Sequence, residues 1–473
     1  MSITLFQECK RSWALVVLLC ISSITTYAQE KILAFPQAEG FGKYALGARG
    51  YSSPSVYFVT NLNDSGQGSF RDAVSKAGRF VIFRVSGIIH LKNKVTIAPN
   101  LTIAGHSAPG DGVVLYGRTV SFSGANHTIA RHLRIRLGKN GGATKNEDAS
   151  GISNGHDIML DHISFCWGLD EVFSVNWDKK GPEIDRITLQ NCIIGQGLHF
   201  YNHSAGSLIQ SSGKISIVKS LYISNKTRNP KVKGNNEFVN NVVYNFGNAN
   251  RVNTDHQISA NGYILADSQS PSKAIIVNNY FIAGPSTPKS IRTPFSRGNS
   301  FFNLFEEGNY FDNNYDGKLN GNLIQKTAEF YPGLEPDNYK SKGEYTEYPS
   351  LNTTLTAKEA FDYVSKNVGA LLPKRDEVDQ LMINDLLSLG KSGHLVNEEG
   401  DLPLINGGLG NVNIQNPLLD TDEDGIPDIW ETKLKLDPNN PKDALEQSNN
   451  SSNKGYLNIE VYLNLLGTNK TST

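Results

Sequence analysis

Two sets of residues in this sequence are of a kind and spacing that could do chemistry. The first is the run DTDEDGIPDIWE, which sets Asp420, Asp422 and Asp424 at alternate positions and follows them with Gly425, Asp428 and Glu431. Carboxylates at positions one, three, five, nine and twelve, the backbone of Ile426 at seven and a glycine at six describe a calcium loop of EF-hand type. A solvated acidic linker is the plain alternative. No amphipathic helix precedes the loop, so its ion is expected to be structural, with a short closing helix over Tyr456 to Leu466. The second set is scattered: Asp148 in NEDASGIS, Asp170 and Glu171 in FCWGLDEVFSV, and Arg228, Lys231 and Lys233 in TRNPKVK. Singly, each acid suits a turn and the basic run suits a solvated loop. Gathered on one surface, they would set acids able to hold a cation beside a basic patch able to meet an acidic substrate.

Only a fold that returns distant segments to a common face can gather them. Strand-like runs with alternating apolar residues recur as HTIARHLRIRLG, HDIMLDHISF, DRITLQNCIIG, KISIVKSLYIS, NEFVNNVVYNFG, AIIVNNYFIAG and LFEEGNYFDNN. Aligning Leu160, Leu189, Ile217, Val239 and Val277 gives a mean spacing of about 29 residues, the signature of a stacked solenoid. No repeat sustains a helical stripe. Asn191, Asn241, Asn279 and Asn309 are expected at the bends, where asparagine tolerates a left-handed backbone and its amide can bond the copy in the next coil. Coils stack about 5 Å apart. Asp148, one coil before Asp170 and Glu171, and Arg228, two coils after them, should therefore share a face. The expected architecture is all-β: a parallel β-helix over 29–340, a helical or irregular cover over 341–410 broken at Pro373, and a small calcium-binding appendage over 411–473.

The chain has 473 residues, enough for a large core, with 44 glycines for its turns. Its 45 basic and 46 acidic residues leave a formal net charge of −1, so no global field would recruit nucleic acid or an anionic membrane. At the N-terminus, Lys10 and Arg11 precede an apolar run from Trp13 to Ile21 and the small-residue site Thr26-Tyr27-Ala28. That is an export signal over 1–28, and its apolar run is too short for a bilayer core of about 30 Å. A secreted protein without a membrane span is expected. Lipid anchoring at Cys20 is disfavoured by the bulk of Leu19. Cys166 and Cys192 then remain, both in apolar runs, and read as buried thiols rather than a disulfide framework.

The blocks AEGFGKYALGARG, VTNLNDSGQGSFRDAV, FRVSGII, IAGHSAPGDG, IMLDHISFCWGLDEV and TRNPKV followed by NNVVYNFG occur in that order over roughly residues 36–250. Together they resemble polysaccharide lyase family 1, the pectate lyases, in a secreted bacterial branch, and the calcium-loop tail resembles what often follows there. The resemblance implies a right-handed β-helix and calcium-assisted β-elimination of polygalacturonate, an acidic plant cell-wall polysaccharide, by a monomer. By motif position Asp148 matches the first calcium-binding aspartate, Asp170 the last, and Arg228 the arginine that takes the proton. Lys231 and Lys233 fall on the substrate-gripping cations. Two departures stand out. Cys166 occupies a place usually held by aspartate, so Glu171 is expected to supply the missing oxygen. Ala205, in LHFYNHSAGSLI, stands near the usual substrate-binding lysine, and His199 or His203 would have to substitute. A cationic groove lowers a guanidinium's proton affinity, so a strongly alkaline optimum fits Arg228 as base.

Three rivals share the fold. A polygalacturonase would need two cooperating carboxylic acids, but adjacent Asp170 and Glu171 would point to opposite sides of a strand. A pectin lyase would need neither the acids nor the lysines. A glycan-binding β-helix without turnover is the third, favoured by the alanine at 205.

Overall fold

In the computed structural model, which describes residues 31–251 and 258–468, left-handed backbone bends turn short strands into coils. His132 (φ 54°), His162 (φ 53°), Asn191 (φ 54°), Lys219 (φ 49°), Asn240 (φ 59°) and Asn278 (φ 54°) occupy equivalent bends in successive coils. The expected signal, 1–28, lies outside the described residues. Each coil carries three strands, and the coils stack into a parallel β-helix. One sheet of 10 strands runs from Gly87–His90 to Asn322–Leu323, parallel except at its last pair. The other, of 16 strands, folds around a corner because Ala205–Val218 and Lys231–Val239 each continue across two faces.

The first face of the folded sheet carries Ser150–Ile152, Glu171–Asn176 and the leading halves of the two long strands, then Tyr263–Leu265 and Phe295–Ser296. Its register places Gly151, Ser174, Leu208, Lys231, Ile264 and Ser296 in one column. This face, the groove face, holds the candidate site.

Apolar residues at alternate positions fill the interior. Leu160, Leu189, Ile217, Phe238 and Ile276 form one buried column. The expected alignment slips here by one residue: Val239 pairs with Val218 and Val277 with Val239, and both point outward. A one-residue slip exchanges the two faces of a strand. Hydrophobicity could not expose it, because the outer side is also apolar and buried beneath Tyr345, Tyr348 and Leu351.

The slip carries into the asparagines. Asn241, Asn279 and Asn309 do stack: the backbone N–H of Asn241 donates to Asn279 Oδ1 (2.8 Å) and that of Asn279 to Asn309 Oδ1 (3.1 Å). Each such buried bond contributes about 1 kcal/mol net. Asn191 is not in this ladder. It sits at the left-handed bend and donates to Asp161 Oδ1 (3.0 Å), while Cys192 takes the ladder place and donates its N–H to Ser220 Oγ (3.0 Å). Cys166 and Cys192 are free, buried thiols.

Helices Ala357–Asn367 and Glu377–Leu387 lie on the 10-stranded sheet, setting Val364, Met382 and Leu386 among Ile193, Leu221 and Val242. Thr356 and Glu359 form a capping box that starts the first helix, and Pro373 falls in the connection. Arg136 pins the second helix through Asp376 (2.8 Å) and Asp379 (3.1 Å), all three buried. The last described residues fold as a small unit with helices Asp428–Leu434 and Asn458–Thr468. Its Ile426, Ile459, Tyr462 and Leu463 pack on Ala48, Phe80, Ile82 and Ala104 of the first coils. No helix among the described residues is long and apolar enough to cross a membrane.

Candidate functional site

Four consecutive coils bring the scattered acids and the arginine to one end of the groove face. Thr119 Oγ1 holds the carbonyl of Asp148 (2.7 Å). The Asp148 carboxylate accepts from the backbone N–H of Glu171 (2.9 Å) and from Ser174 Oγ. In the next coils Glu171 pairs with Ala205, and Ala205 with Thr227, so Arg228 arrives two coils above Glu171. The Arg228 Nη1 bonds Glu171 Oε1 directly. Arg228 has a left-handed backbone (φ 57°), and its carbonyl accepts from Ser207 N–H (2.6 Å). A Cβ at Gly206 would stand 2.6 Å from that carbonyl oxygen, so glycine is what lets the arginine's turn settle so close.

His203 closes the cluster from the loop before Ala205. Its Nε2 lies 2.8 Å from Asp170 Oδ1 and 3.9 Å from Glu171 Oε1, and ligand atoms of the three residues all lie within 4.8 Å of one another. The hydrogen bond from His203 holds Asp170 below the usual carboxylate range. Burial, with the charge of Asp170 adding to it, pushes Asp148 up to about 6. Burial also moves Arg228 below its ordinary value, and Arg297 adds to the shift, while Asp170 and Asp148 oppose it.

The remaining expected residues divide. His199 is not in the groove: it is buried, and its Nδ1 bonds Ser204 Oγ (2.8 Å), fixing the loop that carries His203. Its expected contact with substrate is therefore corrected, because a strand-end imidazole packed under the cover cannot reach the surface. Lys231 lies beside Asp267 (3.0 Å), which also binds Arg297 (3.1 Å). Lys233 points the same way two residues on, into a separate cleft at the far edge of the face. Cys166 lies on the 10-stranded sheet beneath the helices, so an oxygen at that position would not face the groove. Sequence reasoning missed Asp267, Arg297 and Lys145, whose charge acts on Asp170. Only the ladder could have found the first two: Lys231 pairs with Ile264 and Ile264 with Ser296, which places both beside Lys231.

A second acidic centre lies in the tail. Asp420, Asp422 and Asp424 form one group and Asp424, Glu431 and Asp443 another, each with ligand oxygens within 4.8 Å. Asp428 is not among them. Its oxygens accept from the N–H (2.8 Å) and hydroxyl (2.8 Å) of Thr421, which turns it away at the start of its helix. Asp443, from the following DPNNPKDA loop, stands in the cluster instead. It lay outside the twelve-residue window of the expected motif. Ile426 is buried and donates its N–H to Asp424 Oδ1 (2.9 Å). Six buried carboxylate oxygens here have no hydrogen-bond partner: Asp420 Oδ1, Asp422 Oδ2, Asp424 Oδ2, both of Glu431 and Asp443 Oδ1. Burial and mutual repulsion push Asp424 up to about 7 and Glu431 up to about 8. Arg84 holds the loop to the first coils through Asp420 (2.8 Å).

No family model matches the chain. Among curated proteins it is similar to the probable pectate lyase C of Neosartorya fischeri, 44% identical over 435 residues, which are 92% of this chain and 94% of that protein. The probable pectate lyase C of Aspergillus flavus is 42% identical over 438 residues, again 92% and 94%. These relatives are fungal, so the expected bacterial branch is not supported. Solved structures with a similar course include a pectate lyase bound to hexasaccharide (TM-score 0.47, 13% identity, 72% of this chain and 99% of that one). The cedar pollen allergen Jun a 1 is another (TM-score 0.45, 17% identity, 70% and 92%).

Proposed function

The chain belongs to the pectate lyase family, and from that premise we propose that it cleaves α-1,4-linked polygalacturonate by β-elimination at the groove cluster, with calcium as its cofactor. The observation that carries this reading is the meeting of Asp148, Asp170 and Glu171 with Arg228 across four successive coils. The donor set suits the ion: crowded carboxylates, one of them with its proton affinity raised by burial and a like charge, are what a hard divalent cation relieves. Held by Asp148, Asp170 and Glu171, calcium would supply positive charge against the negative charge that develops beside the sugar's C6 carboxylate.

Arg228 takes the proton from C5 onto a guanidine nitrogen. The C–H electron pair becomes the C4–C5 double bond, the C4–O bond breaks, and the departing oxygen is protonated from solvent. A guanidinium is ordinarily far too weak an acid to be found neutral. Burial and the neighbouring Arg297 move Arg228 in the direction this task requires, and alkaline solution completes it. Lys231 grips a neighbouring uronate, with its ammonium steadied by Asp267. His203 orients Asp170.

The tail is a second calcium site, structural in role, held by Asp420, Asp422, Asp424, Glu431 and Asp443 with the backbone at Ile426. Buried carboxylate oxygens without a partner are costly until a cation compensates them, and six such oxygens converge here. Secretion follows from the export signal. The deciding experiment is incubation with polygalacturonate, with and without calcium, while following the ultraviolet absorbance of the new double bond. Absorbance that rises only with calcium is expected. Products without the double bond would point to hydrolysis and defeat the proposal.

A further inference from the structure

At the far edge of the groove face, opposite the catalytic cluster, lies a cleft of about 670 Å³. It runs along the corner where the folded sheet turns, and its walls are Trp177, Lys179, Lys233 and Lys340, with Tyr345 and Lys273 at one end. Its charge is available. Among the described residues no carboxylate lies within ion-pair distance of Lys179, Lys233 or Lys340; Lys340 bonds only the carbonyl of Asp337 (2.7 Å). Lys273, by contrast, is committed to Glu347 (2.7 Å) and lies over the Tyr345 ring (4.9 Å), so it builds the wall. Two acids also line the cleft against its four lysines: Glu183 is engaged by Ser212, through its N–H (2.5 Å) and its hydroxyl, and Glu344 accepts from the N–H (2.8 Å) and hydroxyl (2.9 Å) of Ser341. The cleft is thus sugar-sized, cationic and partly aromatic. Aromatic faces take the apolar side of a pyranose, and ammonium groups take carboxylates.

Its placement relates it to the reaction. Lys231 and Lys233 lie on one strand and on one side of it, about 7 Å apart, so cationic groups continue from the cluster into the cleft. Glu171 begins the strand Glu171–Asn176 and Trp177 follows its end, which sets the cleft about 20 Å from the acids. A short oligosaccharide cannot occupy both places.

We infer that this cleft is a second uronate-binding site, which holds a stretch of acidic chain at a distance from the bond being cut and so favours long substrates over short ones. The inference rests on the uronate-lyase reading above for its choice of ligand. Trp177 provides a direct readout: hexagalacturonate should quench its fluorescence saturably in the wild type and in Arg228→Ala, and not in Trp177→Phe. The double variant Lys179→Glu/Lys340→Glu should bind hexagalacturonate about tenfold more weakly. Its kcat/KM should fall similarly on polygalacturonate and stay unchanged on trigalacturonate. Unchanged hexagalacturonate affinity in that variant, absence of quenching in the wild type, or an equal loss on the trimer would each overturn the inference. Quenching without any turnover of polygalacturonate would defeat the lyase reading while leaving the cleft as a binding site.

Discussion

The molecule has two acidic centres, and they differ in how the chain treats their charge. In the groove each acid has a partner from the protein itself: Asp148 has Ser174 and a backbone N–H, Asp170 has His203, and Glu171 has Arg228. In the tail six carboxylate oxygens are buried with none. A compensated centre keeps its shape without an ion, and an ion entering it must compete with an arginine and a histidine. An uncompensated one depends on its ion for existence, because unpaired buried charge is among the most costly features a fold can carry. The contrast separates a calcium that works from a calcium that holds.

The sharpest way to test that division is to remove one element from each centre. Arg228→Ala should lower lyase activity about a thousandfold and leave the melting temperature almost unmoved; retained turnover would remove Arg228 from the role of base. Asp443→Ala should do the reverse, abolishing the calcium-dependent part of stability, about 3 kcal/mol at a hundredfold excess of calcium over Kd. Asp428→Ala should cost only about 1 kcal/mol, the net value of its hydrogen bonding to Thr421, and keep its response to calcium. If the two tail variants behaved alike, the two-loop site would be wrong.

Glu237 offers a third kind of acid, buried like those of the tail but bonded by Ser216 Oγ (2.7 Å) and Ser350 Oγ (2.6 Å) with no cation. Burial pushes it up to about 7. The folded protein therefore binds this proton more tightly than the unfolded chain does. The stability it lends is complete below the ordinary carboxylate range and is lost as pH rises through about 7. Between about pH 5 and about pH 8 the wild type should lose about 2 kcal/mol that Glu237→Gln does not lose, measured by denaturant unfolding in saturating calcium. Equal pH profiles would show that Glu237 is not buried as a neutral acid. The smallest effect is a separation of midpoints: in a calcium titration the melting temperature should rise at about tenfold less calcium than activity does, since the groove ion must displace Arg228 from Glu171, whereas Arg84 takes only one oxygen of Asp420 and leaves the other unpaired. Coincident midpoints would erase the distinction between the two centres.

Much of this was legible in the residues. Alternating apolar runs at solenoid spacing marked the stacked coils, and coil counting placed Asp148, Asp170, Glu171 and Arg228 together. Register was not legible. Phe238 and Val239 are both apolar and both buried, one inside and one under the cover, so hydrophobicity alone could not say which continues the column of Leu160. The same ambiguity put Asn191 in a ladder that belongs to Cys192. In the tail the motif window reached Asp428, whose bonds to Thr421 withdraw it, and stopped short of Asp443. At the groove, His199 and His203 looked equivalent in LHFYNHSAGSLI; a few residues of loop decide that one packs inward and the other reaches Asp170. Asp267 and Arg297 carry no local signal at all, since their position depends on ladder pairings across two coils.

The tail's seat on Phe80 and Ile82 has a consequence for how the molecule comes apart. Stacked-repeat proteins ordinarily fray, because each coil touches only its neighbours and an end coil can peel away alone. Here the chain runs back under its own length, and its last helix and Asp420 clasp the opening coils. The end where peeling would begin is latched by the tail unit, so loss of the tail's ion should release the first coils along with the tail.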